Sequence, residues 1–189
     1  CAHRCRAHRP GMTTAFRQPP AAEPGEAPSD PEHVARILVL RRLDAAPRTR
    51  VELERYLAQR GIPEEAATAV LDRFTEVGLI DDHAYARGWV TSRHGTRGLG
   101  RRAVAQELRR KGVHDDIITE ALDPIDPEQE LARAMLIALS RYPQVMGLPY
   151  PTQVRRLIGA LTRRGYEAGV ASAVVREVLS AAPDEVPFD

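Results

Sequence analysis

Cysteine is nearly absent from this 189-residue chain: Cys1 and Cys5 are the only two, both within the first five positions. That excludes a disulfide framework and fits a reducing, cytoplasmic setting. Aromatic residues make up only 5%, with a single tryptophan, so aliphatic side chains must build any core. Long apolar runs are missing too. The longest aliphatic stretch is the four residues Ile37 to Leu40, far short of the roughly 20 that span a bilayer, and nothing near the N-terminus resembles a signal-peptide core. No membrane association is expected. Lysine is reduced to Lys111 among 27 basic residues, and 26 acidic residues leave a net charge of +1. Total charge therefore selects no partner. An arginine excess of this kind also arises from a GC-rich genome, so arginine positions carry the information and arginine number does not.

Chemical motifs are lacking as well. The stretch Gly95-Thr96-Arg97-Gly98-Leu99-Gly100 has neither the lysine nor the preceding strand of a phosphate loop. There is no nucleophile elbow and no histidine pair at helical metal spacing; His33, His83, His94 and His114 are scattered at expected helix ends. Cys1, His3, Cys5 and His8 are zinc-type donors, but all four fall within eight residues of one another, without the folded span that closes a tetrahedral site. No catalytic residue, metal site or cofactor is expected, and the chain does not read as an enzyme.

What is present is globular composition, 43% hydrophobic and 28% charged, preceded by a segment too rich in proline to fold. Six prolines and two glycines between residues 10 and 31 remove helix donors and leave no apolar periodicity. Residues 1–31 are expected to be disordered, and residues 182–189 to form a short tail.

Between them one pattern is written three times. Leu57-Ala58-Gln59-Arg60-Gly61-Ile62 returns as Leu108-Arg109-Arg110-Lys111-Gly112-Val113 and as Leu161-Thr162-Arg163-Arg164-Gly165-Tyr166, at offsets of 51 and 53 residues. Ten positions after each glycine an aliphatic residue recurs, as Leu71, Leu122 and Val175. Glycine just past a helix takes the left-handed conformation without a Cβ penalty, the preceding base suits the negative end of the helix dipole, and the following apolar residue can close a Schellman contact. Gly61, Gly112 and Gly165 are therefore read as helix-to-helix turns. Helical apolar spacing precedes each turn: Val51, Leu53 and Leu57, then Val104 and Leu108, then Val154, Leu157, Ile158 and Leu161. A further helix opens each unit, at about 33–43, 82–93 and 127–141. The expected fold is all-α: three tandem three-helix repeats at 32–78, 79–125 and 126–181, forming an elongated body that is free to curve. At the start of the middle repeat, Asp81 reads as an N-cap, Asp82 as an anion favoured by the dipole, and Ile80 as a staple onto Tyr85. Tyr85 and Trp89, four apart on one helix, read as packing residues.

Charge is polarised along this framework. From Arg87 to Lys111 eight basic residues face Glu107 alone, and from Gly112 to Leu131 seven acids meet no lysine or arginine. Arg101 with Arg109, and Arg102 with Arg110, form two outer rows on a helix whose core side carries Val104 and Leu108. Such a ridge either pairs with the neighbouring acidic stretch or meets phosphates and carboxylates of a partner. A tandem helix-turn-helix DNA reader acting alone is the alternative. It is disfavoured because the helix after each turn, which would enter the major groove, is acidic: Asp115, Asp116 and Glu120 in the middle unit stand without an arginine.

Two blocks carry a resemblance. Glu76-Val77-Gly78-Leu79-Ile80-Asp81-Asp82-His83-Ala84-Tyr85-Ala86-Arg87-Gly88-Trp89-Val90, followed by Gly98-Leu99-Gly100-Arg101-Arg102-Ala103-Val104-Ala105-Gln106-Glu107-Leu108-Arg109-Arg110-Lys111-Gly112-Val113, resembles the RecX regulatory proteins over about residues 33–181. The resemblance implies a bacterial cytoplasmic modulator of the RecA recombinase, acting in recombination and DNA repair. It would lodge along the groove of the RecA–DNA filament and usually inhibit strand exchange and ATP hydrolysis. On this reading Arg93, Arg97, Arg101, Arg102, Arg109, Arg110 and Lys111 are the partner-contact candidates, with Tyr85 and Trp89 fixing the helix that carries them. Nonspecific contact with single-stranded DNA stays open, and a monomer is expected.

Overall fold

The structure, a computed structural model, describes residues 30–181. The segment expected to be disordered and the C-terminal tail lie outside the described residues, except for Asp30, which caps the first helix, and Pro31, which begins it. Among the described residues there are nine α-helices and no strand. The first unit holds α1 (Pro31–Ala45), α2 (Arg50–Gln59) and α3 (Glu64–Glu76). The second holds α4 (Asp82–Val90), α5 (Arg101–Arg110) and α6 (Asp115–Leu122), and the third α7 (Pro127–Arg141), α8 (Tyr150–Arg163) and α9 (Ala168–Ser180).

The helix starts follow local chemistry. Asp30, Asp81 and Asp126 each accept a backbone N–H of the first turn, at 3.1, 2.8 and 3.0 Å, and Pro31 and Pro127 supply φ values preset for a first helical residue. The three repeated glycines end α2, α5 and α8 in full Schellman motifs. Ile62, Val113 and Tyr166 donate back to Leu57, Leu108 and Leu161 at 3.2, 3.1 and 3.2 Å, and Gly61, Gly112 and Gly165 have φ of 73°, 81° and 85°. A fourth such turn follows α3 at Gly78, with φ 74° and Leu79 N–H donating to the Phe74 carbonyl at 2.8 Å.

Each unit closes over its own core. Leu57 and Leu71 centre the first, Val104, Leu108 and Ile118 the second, and Leu157, Leu161 and Tyr166 the third. Ile80, expected as a staple at the start of the second unit, is 2% exposed and belongs to the first unit's core. The extensive helix–helix contacts all lie within units, which gives the elongated, quasi-one-dimensional architecture of a repeat protein.

The units meet through one junction made twice. At the first, Thr49, the N-cap of α2, donates its hydroxyl to the Lys111 carbonyl at 2.6 Å, and the Arg50 N–H donates to Asp82 Oδ1 at 3.0 Å. At the second, Gly100, the N-cap of α5, donates its N–H to the Arg164 carbonyl at 2.8 Å, and the Arg101 N–H donates to Glu130 Oε1 at 3.0 Å. In both, the unsatisfied N-terminal donors of a second helix are closed by the next unit. Asp82 therefore caps α2 across the junction, besides standing in the first turn of its own helix.

Thr49 is fully buried and works twice, since it also accepts the Glu52 N–H at 3.2 Å in a capping box. Thr49→Ala removes the cap and leaves the Lys111 carbonyl unpaired. A loss of about 2 kcal/mol is expected, to be read from the urea midpoint; a shift below a quarter of that would place the junction's stability elsewhere.

Candidate partner-binding face

The seven basic candidates separate into two groups according to what their side chains already do. Arg93, Arg101 and Lys111 are engaged inside the molecule. Arg93 donates Nε to Glu107 Oε2 at 2.9 Å with its side chain only 17% exposed, and its guanidinium lies 4.1 Å from the Trp89 ring centroid. The same Glu107 oxygen accepts the Trp89 indole N–H at 2.8 Å, so one carboxylate fixes both partners. Arg101 turns back to donate to the Leu122 and Ile125 carbonyls at 3.1 and 3.4 Å, satisfying the C-terminus of α6 as a basic side chain there can. Lys111 pairs with Glu52 across the first junction at 2.6 Å and sits 4.9 Å from the Trp89 centroid.

Arg97, Arg102, Arg109 and Arg110 remain exposed. Arg109 pairs with Asp115 at 2.6 Å, so the acidic stretch neutralises part of the ridge. Arg102 and Arg109 reach the second junction, where with Arg163 of α8 they line a depression of about 530 Å³ over Gly165 and Tyr166. Arg163 also lines a neighbouring depression of about 430 Å³ together with Arg141, Arg155 and Arg156. Arg102, Arg141, Arg155, Arg156 and Arg163 form no ion pair with another described residue. Guanidinium groups thus run from α5 across the second junction onto α8. The arginines of the third unit were not singled out from the sequence, although Arg155 and Arg163 stand eight residues apart on one helix, the spacing that aligns residues on a face.

Tyr85 and Trp89 stack at 5.7 Å with an interplanar angle of 16° and pack beside the second core. With Glu52, Glu107 and Lys111 they weld the first two units together. Burial raises the Tyr85 hydroxyl above its ordinary value of 10.0 and outweighs the opposing hydrogen bond from Lys111. Lys111 is lowered by burial, but the hydrogen bonds to Glu52 and Tyr85 prevail and hold it above 10.5. In both cases the folded chain keeps a proton that the unfolded chain releases first, so stability falls as pH rises past about 10. The wild-type urea midpoint is expected to drop between pH 9 and pH 11, and Tyr85→Phe, which removes one titrating group, should flatten that drop. Equal slopes for the two proteins would refute a contribution from Tyr85.

Among the described residues no group of three or more histidine, cysteine or acidic side chains is placed to hold a metal, and no helix is long and apolar enough to cross a membrane. The carboxylates of the junctions serve as acceptors for backbone and indole N–H groups.

Comparison with known proteins bears on what this face belongs to. Family models described as the first and second three-helix domains of RecX match residues 35–74 and 81–122. The regulatory protein RecX of Thermobifida fusca is 49% identical over 162 residues, covering 86% of this chain and 88% of that protein. The chain belongs to the RecX family. The regulatory protein RecX of Streptomyces coelicolor is also 49% identical, over 169 residues and 89% of this chain. The fold agrees with solved RecX structures: that from Lactobacillus salivarius matches with a TM-score of 0.75 at 20% identity over 80% of this chain and 99% of that one. A second, a regulatory protein RecX, matches with a TM-score of 0.70 at 27% identity over 77% of this chain and 72% of that one. The three-repeat, all-helical RecX architecture expected from the sequence is the one observed.

Proposed function

We propose that this chain binds the RecA–single-stranded DNA filament and inhibits RecA strand exchange and ATP hydrolysis, contacting the filament through the arginines that cross its second junction. RecX family membership supports RecA as the partner. The observation that carries the choice of surface is the run of guanidinium groups, Arg102 and Arg163 among them, that form no ion pair with another described residue, on a body whose three units repeat along one direction. An extended body engages a filament groove by successive units, and docking of one raises the effective concentration of the next. Arg97 and Arg110 extend the same charge. Arg93, Arg101 and Lys111 act in this reading as positioning residues, since each holds a helix or a junction.

Two measurements test the proposal. Addition of the purified chain should slow DNA-dependent ATP hydrolysis by RecA in a saturable manner. Pulldown of the chain by single-stranded DNA at physiological salt should require RecA. No effect on hydrolysis at any ratio would refute the function, and equal capture without RecA would favour direct DNA binding.

A further inference from the structure

The first junction carries a feature that the arginine face does not use. A groove of about 800 Å³ runs between the α1–α2 connection and α4, walled by Leu43, Pro47 and Leu79 and floored by Tyr85 and Trp89. Along it lie Ala84 and Gly88 of α4 and Ser92 of the π-helical turn Thr91–Thr96 that continues it, small residues at four-residue intervals. A Cβ added at Gly88 would meet nothing within 4 Å, so the channel above this helix is open. Leu79 at its rim is 51% exposed. The polar groups of the groove are unequally satisfied. Asp81 caps Ala84 and Lys111 is paired with Glu52, whereas Arg48, in the same wall, has a buried Nε with no hydrogen-bond partner among the described residues.

We infer that this groove is a docking site for an extended segment of a partner protein carrying aliphatic side chains beside a carboxylate. The apolar walls take the side chains, and the carboxylate pairs with the guanidinium of Arg48, which lines the groove and forms no ion pair with another described residue, in the charge-assisted pairing a guanidinium favours. A nucleobase fits less well: the Trp89 ring already carries Arg93 and Lys111, 4.1 and 4.9 Å from its centroid, and Tyr85 stacks against it. The inference goes beyond the filament proposal and does not depend on it, because binding is measured without RecA or DNA.

Trp89 is the sole tryptophan, which makes its fluorescence a direct report from the groove floor. The full chain is titrated with the synthetic peptide Gly-Ser-Leu-Asp-Leu-Gly and with its Leu-Asn-Leu counterpart. The acidic peptide should give a saturable change, with half-saturation roughly tenfold lower than the amide counterpart. Arg48→Gln should abolish that difference. Gly88→Leu should block both peptides while helicity by circular dichroism stays unchanged. The inference is overturned by the absence of a saturable change up to millimolar peptide, by preference for the acid surviving Arg48→Gln, or by full binding to folded Gly88→Leu. It is also overturned if oligothymidylate displaces the peptide, which would make the groove a nucleic-acid site. A marked gain of affinity on removing residues 182–189 would assign the groove to the chain's own acidic tail, Asp184 to Asp189, and would equally refute a partner segment.

Discussion

Gly165→Val is expected to cost about 4 kcal/mol, enough to consume much of the stability of an ordinary domain. Two independent effects act at this residue. Its φ of 85° lies in the left-handed region, where a β-branched side chain costs about 1–2 kcal/mol. A Cβ at Gly165 would also overlap the Ala103 backbone and side chain at the start of α5, and forcing atoms into a closed contact adds about 1–3 kcal/mol. Gly61 separates the two effects, because its φ is 73° but nothing lies within 4 Å of its added Cβ. Gly61→Val should cost only the conformational part, about 1–2 kcal/mol. Gly112→Val should fall near Gly165→Val, since its Cβ would sit 2.5 Å from the Val51 Cβ. Urea unfolding of the three variants decides the matter. Equal losses at all three glycines would show that the junction yields and that only the turn conformation counts.

That ordering also marks what could be read from the sequence and what could not. The turn chemistry of Gly61, Gly112 and Gly165 is local, contained in a few residues before and one after, so three Schellman turns and nine helices were legible from spacing alone. The core residues Leu57, Leu108 and Leu161 followed from the same period. Packing of the last two turns onto the preceding unit was not legible, because it depends on Val51 and Ala103, about 60 residues away. Thr49 was missed for the same reason: its capping role is local, but its partner, the Lys111 carbonyl, is 62 residues distant.

The charge map was legible as a count and misleading as a surface. Arg101 and Arg102 are adjacent, and sequence placed both in outer rows of one ridge. In the fold Arg101 is spent on the Leu122 and Ile125 carbonyls, at and just past the end of α6, while Arg102 stays exposed. What separates them is α6 of their own unit, which ends within reach of one guanidinium and not of the other. Asp82 was likewise read as a dipole partner of its own helix, and the half of its work that crosses to Arg50 is visible only once two repeats are stacked. The helical period identifies faces; which faces stay free depends on how successive repeats cover them.

Arg102→Glu, Arg110→Glu and Arg163→Glu together are expected to raise the concentration of chain needed for half-inhibition of RecA ATP hydrolysis about tenfold near 0.1 M salt. Three reversals at exposed rim positions, each worth about 0.5 kcal/mol of lost attraction, sum to the 1.4 kcal/mol of a tenfold change. The effect should shrink as salt rises, because exposed charges are screened over a Debye length of about 10 Å at 0.1 M. Folding should survive, since none of the three side chains forms an ion pair with another described residue and Val104 and Leu108 are untouched. Arg101→Glu serves as the contrasting variant: it places a carboxylate against the Leu122 and Ile125 carbonyls, so it should lower the melting temperature and lose inhibition through misfolding. An exposed arginine face without a partner predicts unchanged inhibition by the folded triple variant, and a DNA reader acting alone predicts duplex binding without RecA. Full inhibition by the triple variant at 0.1 M salt, with its helicity intact, would remove the second junction as the contact surface.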